Sequence, residues 1–91
     1  MSTKNTLLSL KNRLRAVLKA SDFGAVKGAR IRLEETEDGY IRGLIYSPMF
    51  TGVDVEARHV AIRASLKGKF NKVDSRRILG FFTGAPADNP E

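Results

Sequence analysis

His59 is the one imidazole in this 91-residue chain, and there is no cysteine. A histidine works as a general base when the group it deprotonates lies within hydrogen-bond reach. No serine, thiol or paired carboxylate stands at a spacing that suggests such a constellation, so a structural or surface role is expected for His59. One imidazole without thiolates cannot by itself build a tetrahedral metal site. Glu34, Glu35, Glu37 and Asp38 are the next group with chemistry to offer, since clustered carboxylates hold Mg²⁺ or Ca²⁺. They crowd a turn between two strand-like runs, where acids are ordinarily solvated. Gly68-Lys69 lacks the remainder of a phosphate-cradling loop. These residues predict no catalytic group, no metal ligand and no cofactor.

The strongest candidate is cationic. Arg58, Arg63, Lys67, Lys69, Lys72, Arg76 and Arg77 place seven positive charges in residues 58–77 against a single acid, Asp74. Residues 1–27 are also basic, with six Lys/Arg against one Asp, whereas residues 28–57 hold three Arg against six acids. Two basic segments flank an acidic middle, and the net charge is +6. Such a field favours encounter with polyanions, and each phosphate neutralised releases counterions. No base-reading motif accompanies the cations, so phosphate contacts are predicted to dominate. A non-enzymatic module that binds DNA or RNA follows as the expectation, with a merely solvated basic surface as the alternative.

The scaffold for these residues must be small. Ninety-one residues suit one domain with no room for a second core, and a chain of this size buries only about 60–65% of its unfolded surface. A single domain over 1–91 is expected, with its core at about 5–84 and a frayed tail at 85–91. There is no apolar run of about 18 residues to span a membrane. Met1 to Asn5 precede an amphipathic pattern rather than a secretory h-region. With no thiols, the composition fits a reducing compartment, and a cytoplasmic location is expected.

Leu7, Leu10, Leu14, Val17 and Leu18 recur at helical spacing, with Lys11, Arg13, Arg15 and Lys19 between them, which predicts an amphipathic helix at about 5–20. Ser21-Asp22 and Gly24 break the pattern. From Arg30 the period becomes two, and a second alternating run covers Tyr40 to Tyr46. Asp38-Gly39 between them is a strong hairpin signal, because the turn requires residues tolerant of positive φ. Pro48 ends the second strand. Asp54 is a good N-cap for a helix from Val55 to about Lys67, whose apolar positions Val55, Val60, Ile62 and Leu66 would pack on the sheet. Phe70 to Arg77 reads as an irregular or short helical connection, and Ile78 to Phe82 as a buried third strand. The prediction is an α+β domain, order α-β-β-α-β, with the helices on one face of a three-stranded sheet.

Ser47-Pro48-Met49-Phe50-Thr51-Gly52, then Val53 to Ala57, then Arg58-His59 resembles the signature of the BolA-like family. In that family a strand ends in Ser, a Phe-x-Gly turn follows, and the next helix carries Arg-His. Thr83 to Pro86 resembles the Thr-x-Thr-Pro that closes the family's last strand. The resemblance spans about residues 7–86, and its specific part is the block 47–59, with Phe50, Gly52, Arg58 and His59 as structural signature residues. It implies a fold related to class II K-homology domains and a role in transcriptional regulation or stress response. It also implies an alternative, a protein adaptor in iron or redox/stress regulation whose partner is a monothiol glutaredoxin. Two departures accompany the match. The Gly-x-x-Gly loop of K-homology domains is missing, with Gly68-Lys69-Phe70-Asn71-Lys72 a loose substitute. Relatives ligate a [2Fe-2S] cluster through a His near the start of the last strand and a His or Cys of the hairpin loop. Counting back from Pro86 places Arg77 at the strand position, and Glu34 to Tyr40 contains neither His nor Cys. The resemblance therefore leaves the adaptor without cluster ligands of its own, and no small-molecule substrate or membrane partner is expected.

Overall fold

A computed structural model describes residues 3–86. The leucines repeating every three or four residues form α1 (Thr3–Ala20), with Leu7, Leu10, Leu14 and Leu18 all buried. Ser21 stops this helix and starts another. Its hydroxyl donates to the Leu18 carbonyl and accepts from the Gly24 N–H, capping the single turn α2 (Asp22–Ala25) where the helical pattern breaks. Gly24 is required here. A Cβ at this position would lie 1.9 Å from the Leu18 carbonyl oxygen, so a side chain would push α2 off the end of α1 and lift Phe23 from the core.

The alternating runs form β1 (Arg30–Glu35) and β2 (Ile41–Tyr46), antiparallel and in register from Arg30–Tyr46 to Glu35–Ile41. The turn between them closes as predicted around Asp38-Gly39. Gly39 sits at φ +87°, and its N–H donates to Thr36 O, while the Thr36 N–H donates to Tyr40 O. After a 3-10 turn (Pro48–Phe50) come α3 (Val55–Leu66), α4 (Lys72–Arg76) and β3 (Ile78–Gly84). Asp54 caps α3 by accepting the Ala57 N–H at 2.8 Å, and Asn71 caps α4 through the Asp74 N–H at 2.7 Å. β3 pairs parallel to β2, so the sheet is mixed, in the order β1-β2-β3. The expected α+β order is present; α4 is the short helical connection expected between Phe70 and Arg77, and α2 is an added turn.

The central strand shows which side is covered. Ile41, Gly43 and Ile45 are buried, whereas Arg42 and Leu44 between them are exposed. Successive strand residues point to opposite faces, so the helices cover one face of the sheet and leave the other bare. The core joins Leu10, Leu14 and Leu18 of α1 and Ile62 of α3 to Ile41 and Ile45. Each fully buried aliphatic of this kind contributes about 1.5–3 kcal/mol. Gly43 allows close packing at the sheet centre, since a Cβ there would meet Arg32 O at 2.6 Å.

Three expectations are corrected. The third strand is an edge strand, not a buried one, and exposes Leu79 (59%) and Phe82 (74%). Val55 and Val60 lie on the outer side of α3, not against the sheet. Ala85, assigned to a frayed tail, is buried in the core; the rest of that assignment, from residue 87, lies outside the described residues.

Candidate functional site

The block 47–59 folds into one connected unit. Ser47 ends β2, and its N–H donates to Gly84 O of β3 while its hydroxyl accepts the Met49 N–H. Phe50 enters the core against Phe23, ring centroids 5.3 Å apart. Gly52, at φ +77°, turns the chain toward α3. Arg58 then reaches back from α3. Its Nε donates to the Val53 carbonyl at 2.7 Å, and its guanidinium lies 5.6 Å from the centroid of the Phe50 ring. The structure thus brings Phe50, Gly52 and Arg58 together as one structural device. His59 is the next residue along α3 and is half-buried.

This arrangement corrects the predicted cationic surface. Arg58 is only 4% exposed, so it cannot present its charge to a polyanion. Its burial follows from helical spacing, because Arg58, Ile62 and Leu66 recur every four residues on the inner side of α3. Arg77 is half-buried at the C-terminal end of α4, with a buried Nη1 that has no hydrogen-bond partner. The remaining five are exposed. Arg63 and Lys67 stand four positions apart at the end of α3, Lys69 is in the following loop, and Lys72 and Arg76 are on α4. Among the described residues the ion pairs are Lys11–Glu35, Arg13–Asp74 and Arg42–Glu34, and none uses these five cations. The only acid of the segment, Asp74, is held by Arg13 of α1 at 2.8 Å, and the Arg13 guanidinium also lies over Phe70. Asp74 is therefore neutralised, and the segment's exposed charge is positive.

The acidic group is dispersed rather than gathered. Glu35 pairs with Lys11 and Glu34 with Arg42, while Glu37 and Asp38 are exposed on the turn. No group of three or more potential metal-ligating side chains occurs among the described residues. The topology does bring the hairpin turn to the start of β3, where Asp38, Gly39 and Tyr40 face Val73, Arg76 and Arg77 across a shallow depression. The BolA-like resemblance implies ligands of a [2Fe-2S] cluster at these two places. The side chains present here do not fit that group. Iron in such clusters takes thiolate or neutral imidazole donors, and a guanidinium is protonated with no lone pair to give.

The bare face of the sheet is a second surface, and the sequence reading missed it. Leu44 and Phe82 are register partners at its centre, and Arg32 is the partner of Leu44 on β1. A signal for it was present in Phe81-Phe82. Neighbouring strand residues point oppositely, so a sheet covered on one side must expose one of the two rings.

No family model matches the chain, and no curated protein matches it. Among solved structures, a Bol-like protein from Babesia bovis is similar, with 16% identity, 87% of this chain and 83% of that chain covered, and a TM-score of 0.45. No helix among the described residues is long and apolar enough to cross a membrane.

Proposed function

We propose that this chain is a non-enzymatic, BolA-like binding module that holds nucleic acid through the cationic surface at the end of α3 and along α4. The observation that carries the reading is the set of five exposed cations, Arg63, Lys67, Lys69, Lys72 and Arg76, with the segment's only acid already occupied by Arg13. The BolA-like part rests on the signature block, whose Phe50, Gly52 and Arg58 act together in closing one turn. Lysine ammonium groups on exposed stems act as point charges toward phosphate rather than as base readers. Binding of this kind is weak, indifferent to sequence and sensitive to salt.

A titration of labelled duplex DNA, single-stranded DNA and RNA at low and moderate salt tests the reading. Each duplex phosphate neutralised contributes a slope of about −0.9 in log K against log salt. Engagement of three or four of the cations predicts a slope between about −2.7 and −3.6. Absence of binding at low salt, or binding that salt does not weaken, would overturn the proposal.

A further inference from the structure

The sheet face that the helices leave bare carries side chains of a particular kind. Phe82 is 74% exposed and Leu44, its partner on β2, is 37% exposed. Along β3 the residues two positions to either side of Phe82 are Gly80 and Gly84, which share its face. A Cβ on Gly80 would meet nothing within 4 Å. The Phe82 ring therefore stands with an open flank. A singly exposed apolar side chain is ordinary, but Phe82 and Leu44 adjoin here on one uncovered face.

The charges around the ring indicate what covers it. Arg32 is exposed and makes no ion pair among the described residues. Arg30 lies over the Tyr46 ring at the end of the same face, 5.9 Å from its centroid. Glu34, the one carboxylate there, is bound by Arg42. An open depression of about 450 Å³ runs between Arg32, Arg42, Leu44 and Phe82, within the size range of small-ligand pockets, about 300–1,000 Å³. A second copy of the chain laid face to face would add further arginines and offer no free carboxylate, since Glu34 is bound by Arg42. A chain of phosphates with flat apolar rings between them matches both features, since the phosphates meet Arg30 and Arg32 while a ring covers Phe82.

We infer that this face is a second binding site, specific for single-stranded nucleic acid, in which an unpaired base stacks on Phe82. A duplex does not satisfy it, because its bases already stack on their neighbours and offer no free π-face. Base–aromatic stacking is indifferent to base identity, so the site selects strandedness rather than sequence. It lies on the opposite side of the sheet from the helices and does not depend on the cationic surface proposed above.

The test is fluorescence anisotropy at low salt with labelled oligothymidine and oligouridine of about ten nucleotides, a length within the usual single-strand site sizes, and with a duplex of similar charge. Wild type is expected to bind the single strands, Phe82→Ala to bind them about tenfold or more weakly, and Phe82→Tyr to bind as wild type. Arg32→Gln is expected to weaken single-strand binding and lower its salt slope. Duplex binding is expected to be unchanged in all three variants. Amide shifts on adding oligothymidine should centre on Arg32, Leu44 and Phe82. Equal single-strand affinity in Phe82→Ala, shifts confined to α3 and α4, or Phe82-dependent self-association without oligonucleotide binding would each overturn the inference. Failure of the α3–α4 proposal instead appears as loss of duplex binding with the Phe82 effect intact.

Discussion

The guanidinium of Arg58 lies 5.6 Å from the centroid of the Phe50 ring, and it is buried. A charge kept from water in this way is stabilising only if its hydrogen bonds are made, and the Val53 carbonyl accepts one of them at 2.7 Å. The pair closes the turn between β2 and α3 from inside. A residue of the cationic segment thereby becomes part of the scaffold, which separates its mutational signature from that of its basic neighbours.

Arg58→Ala is expected to cost about 2–3 kcal/mol in urea unfolding, combining a charge-assisted hydrogen bond with the ring contact. Arg58→Lys should recover little, because an ammonium lacks the planar fork. Nucleic-acid affinity of the folded fraction should stay as in wild type. A stability change below about 0.5 kcal/mol, the ordinary range of a surface substitution, would show that the turn does not depend on this side chain.

The triple variant Lys67→Glu, Lys69→Glu, Lys72→Glu reverses charge at three exposed positions. It is expected to abolish duplex binding at moderate salt while far-UV circular dichroism and the urea midpoint stay near wild type, since none of the three makes an ion pair among the described residues and surface substitutions are usually within about 0.5 kcal/mol. Retained binding would move the interface elsewhere.

Gly43→Ala places a methyl group 2.6 Å from Arg32 O and 2.7 Å from Leu33 Cδ2. Overpacking at a sheet centre costs about 1–3 kcal/mol, read as a lower urea midpoint with an unchanged slope. A neutral result would contradict the pairing of Gly43 with Leu33.

Mixing the protein with a cluster-loaded monothiol glutaredoxin is expected to leave the visible circular dichroism of the glutaredoxin unchanged, because Asp38 and Arg77 line the depression where the BolA-like resemblance implies cluster ligands, and neither is a thiolate or imidazole. A new spectrum that disappears in His59→Ala would make His59 a ligand and reverse this expectation.

Local order alone was enough to indicate most of the elements. The leucine spacing of α1, the change of period at Arg30, the Asp38-Gly39 turn and the Asp54 cap each depend on residues near one another in the chain, so a short stretch specifies the outcome. Arg58 was within reach too, because its spacing to Ile62 and Leu66 marks it as inward-facing, but charge outweighed periodicity in the sequence reading. The neutralisation of Asp74 by Arg13 was not legible. The two are 61 residues apart, and only the docking of α4 beside α1 makes them neighbours. The same holds for the bare sheet face. Phe81-Phe82 shows that one ring must face outward, yet which ring, and that Arg32 and Leu44 stand beside it, depends on β3 joining β2 in parallel at the edge. Strand pairing across the crossover is a choice among distant partners, made by the burial of Ile41 and Ile45 under the helices, and no local pattern encodes it.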